Sequence, residues 1–316
     1  MKSPKLQLYK GHLYIVLSSF GFSLVPLLAK FSLDSGMNAE TMLTYRFIIA
    51  GGFFTLYSIC NKIKLYTTMT TSLKLLGIGF LYALECTCFF TAFKYISPSI
   101  GELLFQITPI MVALTAYFVF KEKITLNVII ALLLTALGCI LLIWEPSAHR
   151  TSLGIVIILI AVLLYTAYII IGKQMLKNID SIVVTTYITV GCGLFLLLYS
   201  LLSDKLMPIN NPKIVSAIIV LALFSTIISI LSFAMGLKLL GATNAVIIST
   251  LDPVFTVVLA YLFMDEKLSP IQILGGLLII MSIVIIETKG SILKSVFKLP
   301  EKDKASEGKK TPTGYR

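Results

Sequence analysis

Charge is scarce in this sequence: 13% of its 316 residues are Asp, Glu, Lys or Arg, against about 25% in a soluble domain. Together with 57% apolar residues and a mean hydropathy of +0.96, that scarcity excludes a soluble globular fold and places the chain in a bilayer. Histidine is nearly missing. His12 and His149 are the only two and lie near the ends of apolar runs, so histidine-based acid–base or metal chemistry has little to build on. The five cysteines, Cys60, Cys86, Cys88, Cys139 and Cys192, lie within or at the ends of such runs. Cys86 and Cys88 point in different directions on a helix, which reads as small apolar packing rather than a metal site or a disulfide framework. No GxxxxGK[ST] motif occurs, which argues against movement driven by nucleotide hydrolysis, and no HExxH motif occurs.

Long apolar runs are what the chain has in abundance. Ten are predicted, near residues 12–31, 40–59, 73–93, 99–119, 127–144, 152–172, 181–202, 213–235, 241–263 and 271–288. Each is long enough to cross a hydrocarbon core of about 30 Å at about 1.5 Å per residue. The first run follows Lys2, Lys5 and Lys10, but it is too long for a signal peptide and lacks a small-residue cleavage site, so it reads as a retained helix. Short loops leave no room for a soluble catalytic domain, and specific chemistry must come from the helices.

The net charge of +11 is unevenly placed, with eight of the 26 basic residues lying from Lys289 onward beside Glu301, Asp303 and Glu307. Residues 289–316 read as a disordered basic tail, either touching anionic lipid or simply solvated, and not as a nucleic-acid footprint. If residues 1–11 are cytoplasmic, eleven of the remaining basic residues fall on the cytoplasmic side and six on the other. That asymmetry follows the positive-inside rule and predicts a multi-pass protein of the plasma (inner) membrane with both termini in the cytoplasm.

The chain repeats itself. Phe93–Thr125 and Leu237–Ser269 align without a gap at an offset of 144 residues, with Lys94/Lys238, Pro109/Pro253, Ala116/Ala260, Tyr117/Tyr261, Glu122/Glu266 and Lys123/Lys267 identical. Proline inside an apolar run and charge closing it are costly choices, so their recurrence is informative. The offset covers five predicted spans. Five is odd, so the second unit enters the membrane from the opposite side, as in transporters built from inverted repeats.

Several residues carry a resemblance. Ala92–Ile143, with its Ala-Phe-Lys-Tyr-Ile-Ser start, Pro109, Lys121-Glu122-Lys123 and Gly138, is similar to the EamA-type family of drug/metabolite transporters. So are Tyr45-Arg46-Phe47 and the second copy, from Gly236 through Pro253 and Asp265-Glu266-Lys267 to Gly275-Gly276. The resemblance covers residues 12 to about 288, although Phe20-Gly21-Phe22 stands where many members have a Trp-Gly pair. It implies an all-α integral membrane protein of ten transmembrane helices in two inverted five-helix repeats, residues 12–144 and 152–288, around a central cavity. It also implies transport of small metabolites such as amino acids, with no cofactor.

Candidate site residues are the polar groups inside the apolar runs. An unpaired Glu85 in the middle of the third run costs at least a few kcal/mol. Tyr82, Glu85 and Phe89 share one helix face, which either binds an amine or zwitterion through charge and cation–π contact or ties helices together through a protonated or paired carboxylate. The offset pairs Glu85 with Ser229, whose stripe of Ser225, Ser232 and Gly236 either lines water or permits close packing; Ser229 is expected to face Glu85. Asp252 precedes Pro253, which frees a carbonyl around Ser249, and together they suit a proton, a cation or a ligand, or else form a hydrogen-bonded kink. Its equivalent is Thr108 before Pro109. Glu102, Gln106 and Pro109 fall on one face of the fourth helix, Glu102 being also readable as an interfacial carboxylate. Arg46 reads as structural or as an ion-pair partner of Glu85 or Glu102. Tyr165 and Tyr168 extend the aromatic lining or belong to the core. The Glu122-Lys123 and Glu266-Lys267 pairs read as turn-stabilising groups in surface water.

The function these residues indicate is a secondary transporter moving a small organic metabolite, such as an amino acid or amine, by alternating access. Its partners are the solute, membrane lipids and a proton as coupling ion through Glu85 or Asp252. An intramembrane enzyme using Glu85 and Asp252 as acid and base is the alternative from another class, but no nucleophile motif or metal cluster accompanies them; a channel would not need inverted halves.

Overall fold

The computed structural model describes residues 4–65, 67–143, 151–209, 211–263 and 269–287. The 289–316 tail, the Glu266-Lys267 pair and His149 lie outside the described residues. Within them the chain forms α1 (Pro4–Asp34), α2 (Ala39–Cys60), α3 (Met69–Ala92), α4 (Pro98–Phe105), α5 (Thr108–Phe120), α6 (Leu126–Ile143), α7 (Ser152–Leu176) and α8 (Ser181–Leu202). There follow α9 (Pro212–Val220), a π-helical segment (Leu221–Ile228), α10 (Ser229–Leu240), α11 (Ala242–Ser249), α12 (Leu251–Phe263) and α13 (Pro270–Glu287). No strand occurs among the described residues. Helix is what a lipid solvent enforces, because each backbone N–H and C=O must find its partner within the segment. Local chemistry sets several starts: Asn38, Thr68, Ser97, Thr151, Asp180 and Asn211 cap the first turns of α2, α3, α4, α7, α8 and α9 with side-chain oxygens.

Among the described residues, eight helical stretches are long and apolar enough to cross a membrane. Three of them are composite: Ile100–Phe120 joins α4 to α5, Pro212–Leu240 joins α9 to α10, and Ala242–Phe263 joins α11 to α12. Sequence alone predicts ten spans. The two remaining, α6 and α13, are shorter apolar helices of 18 residues each, about 27 Å of helix. Large apolar side chains face outward along the helices, Phe118 being 75% and Phe263 76% exposed; water would penalise such a surface, and acyl chains would not.

Contacts fix the relative directions of the helices. Between α2 and α8, Asn38 Nδ2 donates to the Lys205 carbonyl at 2.7 Å and Thr44 Oγ1 lies 2.9 Å from Ser200 Oγ. Rising numbers on one helix meet falling numbers on the other, so the pair is antiparallel. The same holds for α3 with α7, where Tyr82 meets Tyr168 and Ile96 meets Gly154, and for α1 with α10, where Gly11 meets Leu240 and Ile15 meets Gly236. In the antiparallel α6–α13 pair, Thr135 Oγ1 donates to Ser282 Oγ at 2.8 Å, and a Cβ at Gly138 would come within 2.7 Å of the Gly275 carbonyl oxygen. In contrast α3 and α8 run parallel, Ser72 meeting Tyr187 and Phe80 meeting Phe195. Shifted by the 144-residue offset, the α3–α7 pair becomes the α10–α1 pair.

Candidate functional site

The duplicated prolines do more than kink their helices. Each begins a new one: α4 stops at Phe105 and α5 starts at Thr108 with Pro109 in its first turn, while α11 stops at Ser249 and α12 starts at Leu251 with Pro253 in its first turn. Proline's missing N–H is harmless at a helix start, but it strips a donor from the carbonyl four residues earlier. The predicted single helix carrying Glu102, Gln106 and Pro109 on one face is therefore two helices, with Gln106 at the junction.

The two stripped carbonyls meet different fates. At the first break Thr108 Oγ1 donates to the Phe105 carbonyl at 2.6 Å. At the second, the equivalent residue is Asp252, and the Ser249 carbonyl accepts from Ser19 Oγ of α1 at 3.3 Å. Asp252 Oδ1 is buried with no hydrogen-bond partner among the described residues. Nearby, Thr256 Oγ1 donates to the Asp252 carbonyl at 3.0 Å and lies 3.4 Å from the Ser23 carbonyl oxygen of α1. Ser249 Oγ turns back to the Val246 carbonyl rather than to Asp252.

A chain of aromatic rings starts and ends on the helix that carries Glu85. Tyr82 and Tyr168 stack with centroids 4.6 Å apart, and Tyr168 stacks on Tyr165 at 5.6 Å. Tyr165 continues to Phe105 at 5.3 Å and Phe105 to Phe89 at 5.0 Å. The chain of five rings thus leaves α3 at Tyr82, crosses α7 and α4, and returns to α3 at Phe89. Glu85 lies between those two anchors. Its carboxylate accepts from Cys86 Sγ at 3.3 Å, its residue is buried, and no cationic side chain pairs with it among the described residues. A carboxylate beside aromatic rings combines two groups that can each attract a cation.

Arg46 is not the partner of either carboxylate. Buried to 3% exposure, it donates from Nε to Thr226 Oγ1 at 2.5 Å and from Nη2 to the Ser225 carbonyl at 2.8 Å, both in the π segment. A π turn loosens the ordinary ladder and offers such acceptors. Nor does Ser229 face Glu85. Ser229 Oγ donates to the Phe224 carbonyl at 2.7 Å, and a Cβ placed on Gly21 of α1 would strike that hydroxyl and come within 2.5 Å of the Phe224 carbonyl oxygen. Its role is close packing against α1. Glu102 and Gln106 are half-buried near the first break, and no side-chain hydrogen bond or ion pair engages Glu102 among the described residues.

Polar clamps hold the two ends of the bundle. At the start of α2, Glu40 Oε1 takes Lys205 Nζ at 2.6 Å and Lys94 Nζ at 3.7 Å, and this hydrogen bond holds the Lys205 ammonium above its ordinary range. At the opposite end, Glu122 is no turn-stabilising group in surface water. It pairs with Lys173 at the end of α7, and accepts from the Ala242 and Thr243 N–H groups at 3.3 Å each and from Thr243 Oγ1 at 2.7 Å. A carboxylate on one segment thereby caps the N-terminus of α11 on another, where the helix dipole favours it. Burial pushes the Glu122 carboxyl up, but the hydrogen bonds from Lys173 and Thr243 outweigh it and hold the group below its ordinary value of 4.5. Sequence reading missed this contact. Its one signal was an α11 start, Gly241-Ala242-Thr243, with no side-chain N-cap of its own.

Buried charge inside a bundle of apolar spans, two helices broken at equivalent positions of the repeat and a partner-lined helix end at each end of the bundle define a multi-pass membrane transporter. The model of the EamA-like transporter family matches residues 9–144 and again 152–288, and the chain belongs to that family. A Bacillus subtilis protein named uncharacterized transporter YyaM is 25% identical over 62% of this chain and 66% of its own length. An uncharacterized transporter of Haemophilus influenzae is 23% identical over 87% of this chain and 94% of its own. A solved crystal structure superposes with a TM-score of 0.78 at 15% identity, covering 90% of this chain and 98% of the other, which shows the fold.

Proposed function

We propose that the protein is a secondary transporter that moves a small cationic or zwitterionic organic solute by alternating access, with Glu85 as the group that meets the solute's positive charge. The observation that carries this is the ring chain Tyr82–Tyr168–Tyr165–Phe105–Phe89, which starts and ends on α3 one turn to either side of a buried carboxylate that has only a thiol donor. An ionised carboxylate at this depth needs a cation. When the solute is absent a proton serves, and its release on solute arrival couples the two movements. Tyr82, Phe89 and Tyr168 contribute the aromatic walls, Gln106 and Asp252 lie at the two helix breaks, and Pro109 and Pro253 create those breaks.

Helix directions support ten spans. With α6 left out of the membrane, α3 and α7 would be separated by an even number of crossings and run parallel; they run antiparallel. Counting α6 and α13 as the fifth and tenth spans gives each packed pair described above the direction that alternation requires, which supports reading residues 12–144 and 152–288 as two inverted repeats. Basic residues then put both termini on the cytoplasmic side of the plasma membrane, the Glu122 clamp at the cytoplasmic end and the Glu40 clamp at the outer end.

Uptake into proteoliposomes over a panel of amino acids, amines, nucleosides and sugar phosphates tests the reading. Amines or amino acids should move and sugar phosphates should not, and Glu85→Gln should abolish transport or remove its pH dependence while the protein stays folded. Wild-type rates across the pH range in Glu85→Gln would sink the role given to Glu85.

A further inference from the structure

The second helix break leaves two oxygens that its counterpart does not. Pro253 strips the Ser249 carbonyl of its backbone donor, and Asp252, unlike Thr108, has no hydroxyl with which to replace it. The carbonyl's recorded donor is the long 3.3 Å contact from Ser19 Oγ. Asp252 Oδ1 is buried and unpartnered among the described residues, and the Ser19 hydroxyl also faces the Asp252 carboxylate. A carboxylate, a freed carbonyl and a hydroxyl therefore converge with only one weak donor among them. Unwound helix carbonyls beside a carboxylate are hard oxygen ligands of the kind that bind small cations within broken membrane helices.

We propose that Asp252, the Ser249 carbonyl and the Ser19 hydroxyl bind one Na⁺ ion between α1 and the α11–α12 break. Three properties select the ion. A single positive charge neutralises a single carboxylate, whereas a divalent ion would leave net charge in the apolar interior. An ion of nearly the calcium radius sits about 2.4 Å from each oxygen, and two ligands at right angles around it are then about 3.4 Å apart, close to the 3.3 Å between Ser19 Oγ and the Ser249 carbonyl oxygen; potassium needs a wider spacing. A proton would satisfy one oxygen of the Asp252 carboxyl and leave the freed Ser249 carbonyl with the same 3.3 Å contact, whereas a metal cation engages both. The site uses no residue of the Glu85 cradle, so ion binding does not depend on the solute being present or identified.

The test uses the full-length protein in detergent without solute. Thermal unfolding in NaCl is compared with KCl and choline chloride at constant ionic strength, and equilibrium ²²Na⁺ binding is measured directly. Expected results are a saturable rise in the unfolding temperature in NaCl alone and one ion bound per chain. Asp252→Thr, which rebuilds the arrangement of Thr108 and Pro109 and lets its own hydroxyl close the Ser249 carbonyl, should fold and lose the sodium response. Ser19→Ala, losing one oxygen ligand to a charge, should weaken Na⁺ binding about tenfold. Equal stabilisation by all three salts overturns the site, as does a sodium response that survives in Asp252→Thr. A sodium response lost while solute uptake persists would separate the ion site from the transport reading, and no sodium binding beside solute uptake would overturn the ion site alone.

Discussion

The two helix breaks began as copies and now do different things. Pro109 and Pro253 occupy equivalent positions and strip equivalent carbonyls, yet Phe105 regains a 2.6 Å bond from its own turn through Thr108, while Ser249 receives a 3.3 Å contact from another helix. The first break is self-contained. The second is open, and an acidic side chain stands where the closing hydroxyl should be. In a duplicated transporter the shared proline supplies the geometry, and the residue before it decides whether that geometry is spent on structure or held available for a ligand.

Making the first break resemble the second should have the largest effect. Thr108→Asp removes the hydroxyl donor and buries a carboxylate, and we expect destabilisation of about 3 kcal/mol or more, read as a fall in the detergent unfolding midpoint. A variant as stable as wild type would mean that the first break already holds a cation, and the asymmetry would vanish. Thr108→Val is the gentler version, leaving only the Phe105 carbonyl unserved; we expect a loss of about 1 kcal/mol, and no change at all would show that water supplies that carbonyl.

Glu122 sharpens the contrast from the other side, being a carboxylate with four donors where Asp252 Oδ1 has none. Its folded pKa is depressed, so its contribution is present above the ordinary value of 4.5 and is lost as pH falls through the lower folded value. Wild type should exceed Glu122→Gln by about 1 kcal/mol at neutral pH. The gap should close below pH 4.5 in unfolding midpoints measured across that range; a gap independent of pH would remove the charge from the explanation.

Much of this was legible in the chain because the bilayer makes some choices expensive. Apolar runs marked the spans, paired prolines marked the breaks, and Glu85 stood out as a charge in hydrocarbon. What stayed hidden depends on which helix lies beside which. Arg46 reads as structural or as a partner for a carboxylate, and the neighbouring helix decides between them, because the π segment offers it neutral acceptors at Thr226 and Ser225. Tyr165 and Tyr168 read as lining or core, and the sequence carries no sign that Tyr82 stacks on Tyr168 and tilts against Tyr165. Glu122 looked like a surface group because its four donors come from residues 51 to 121 positions further along.

The π segment has one more consequence. A loosened ladder leaves carbonyls for side chains to claim, and Arg46 and Ser229 claim those of Ser225 and Phe224. Ser229 thereby packs on Gly21 of α1, the position that the 144-residue offset pairs with Tyr165 of α7. The two halves keep matching neighbours at this level, and what sets them apart is the group presented there: a hydroxyl spent on its own helix in one, a carboxylate in the other.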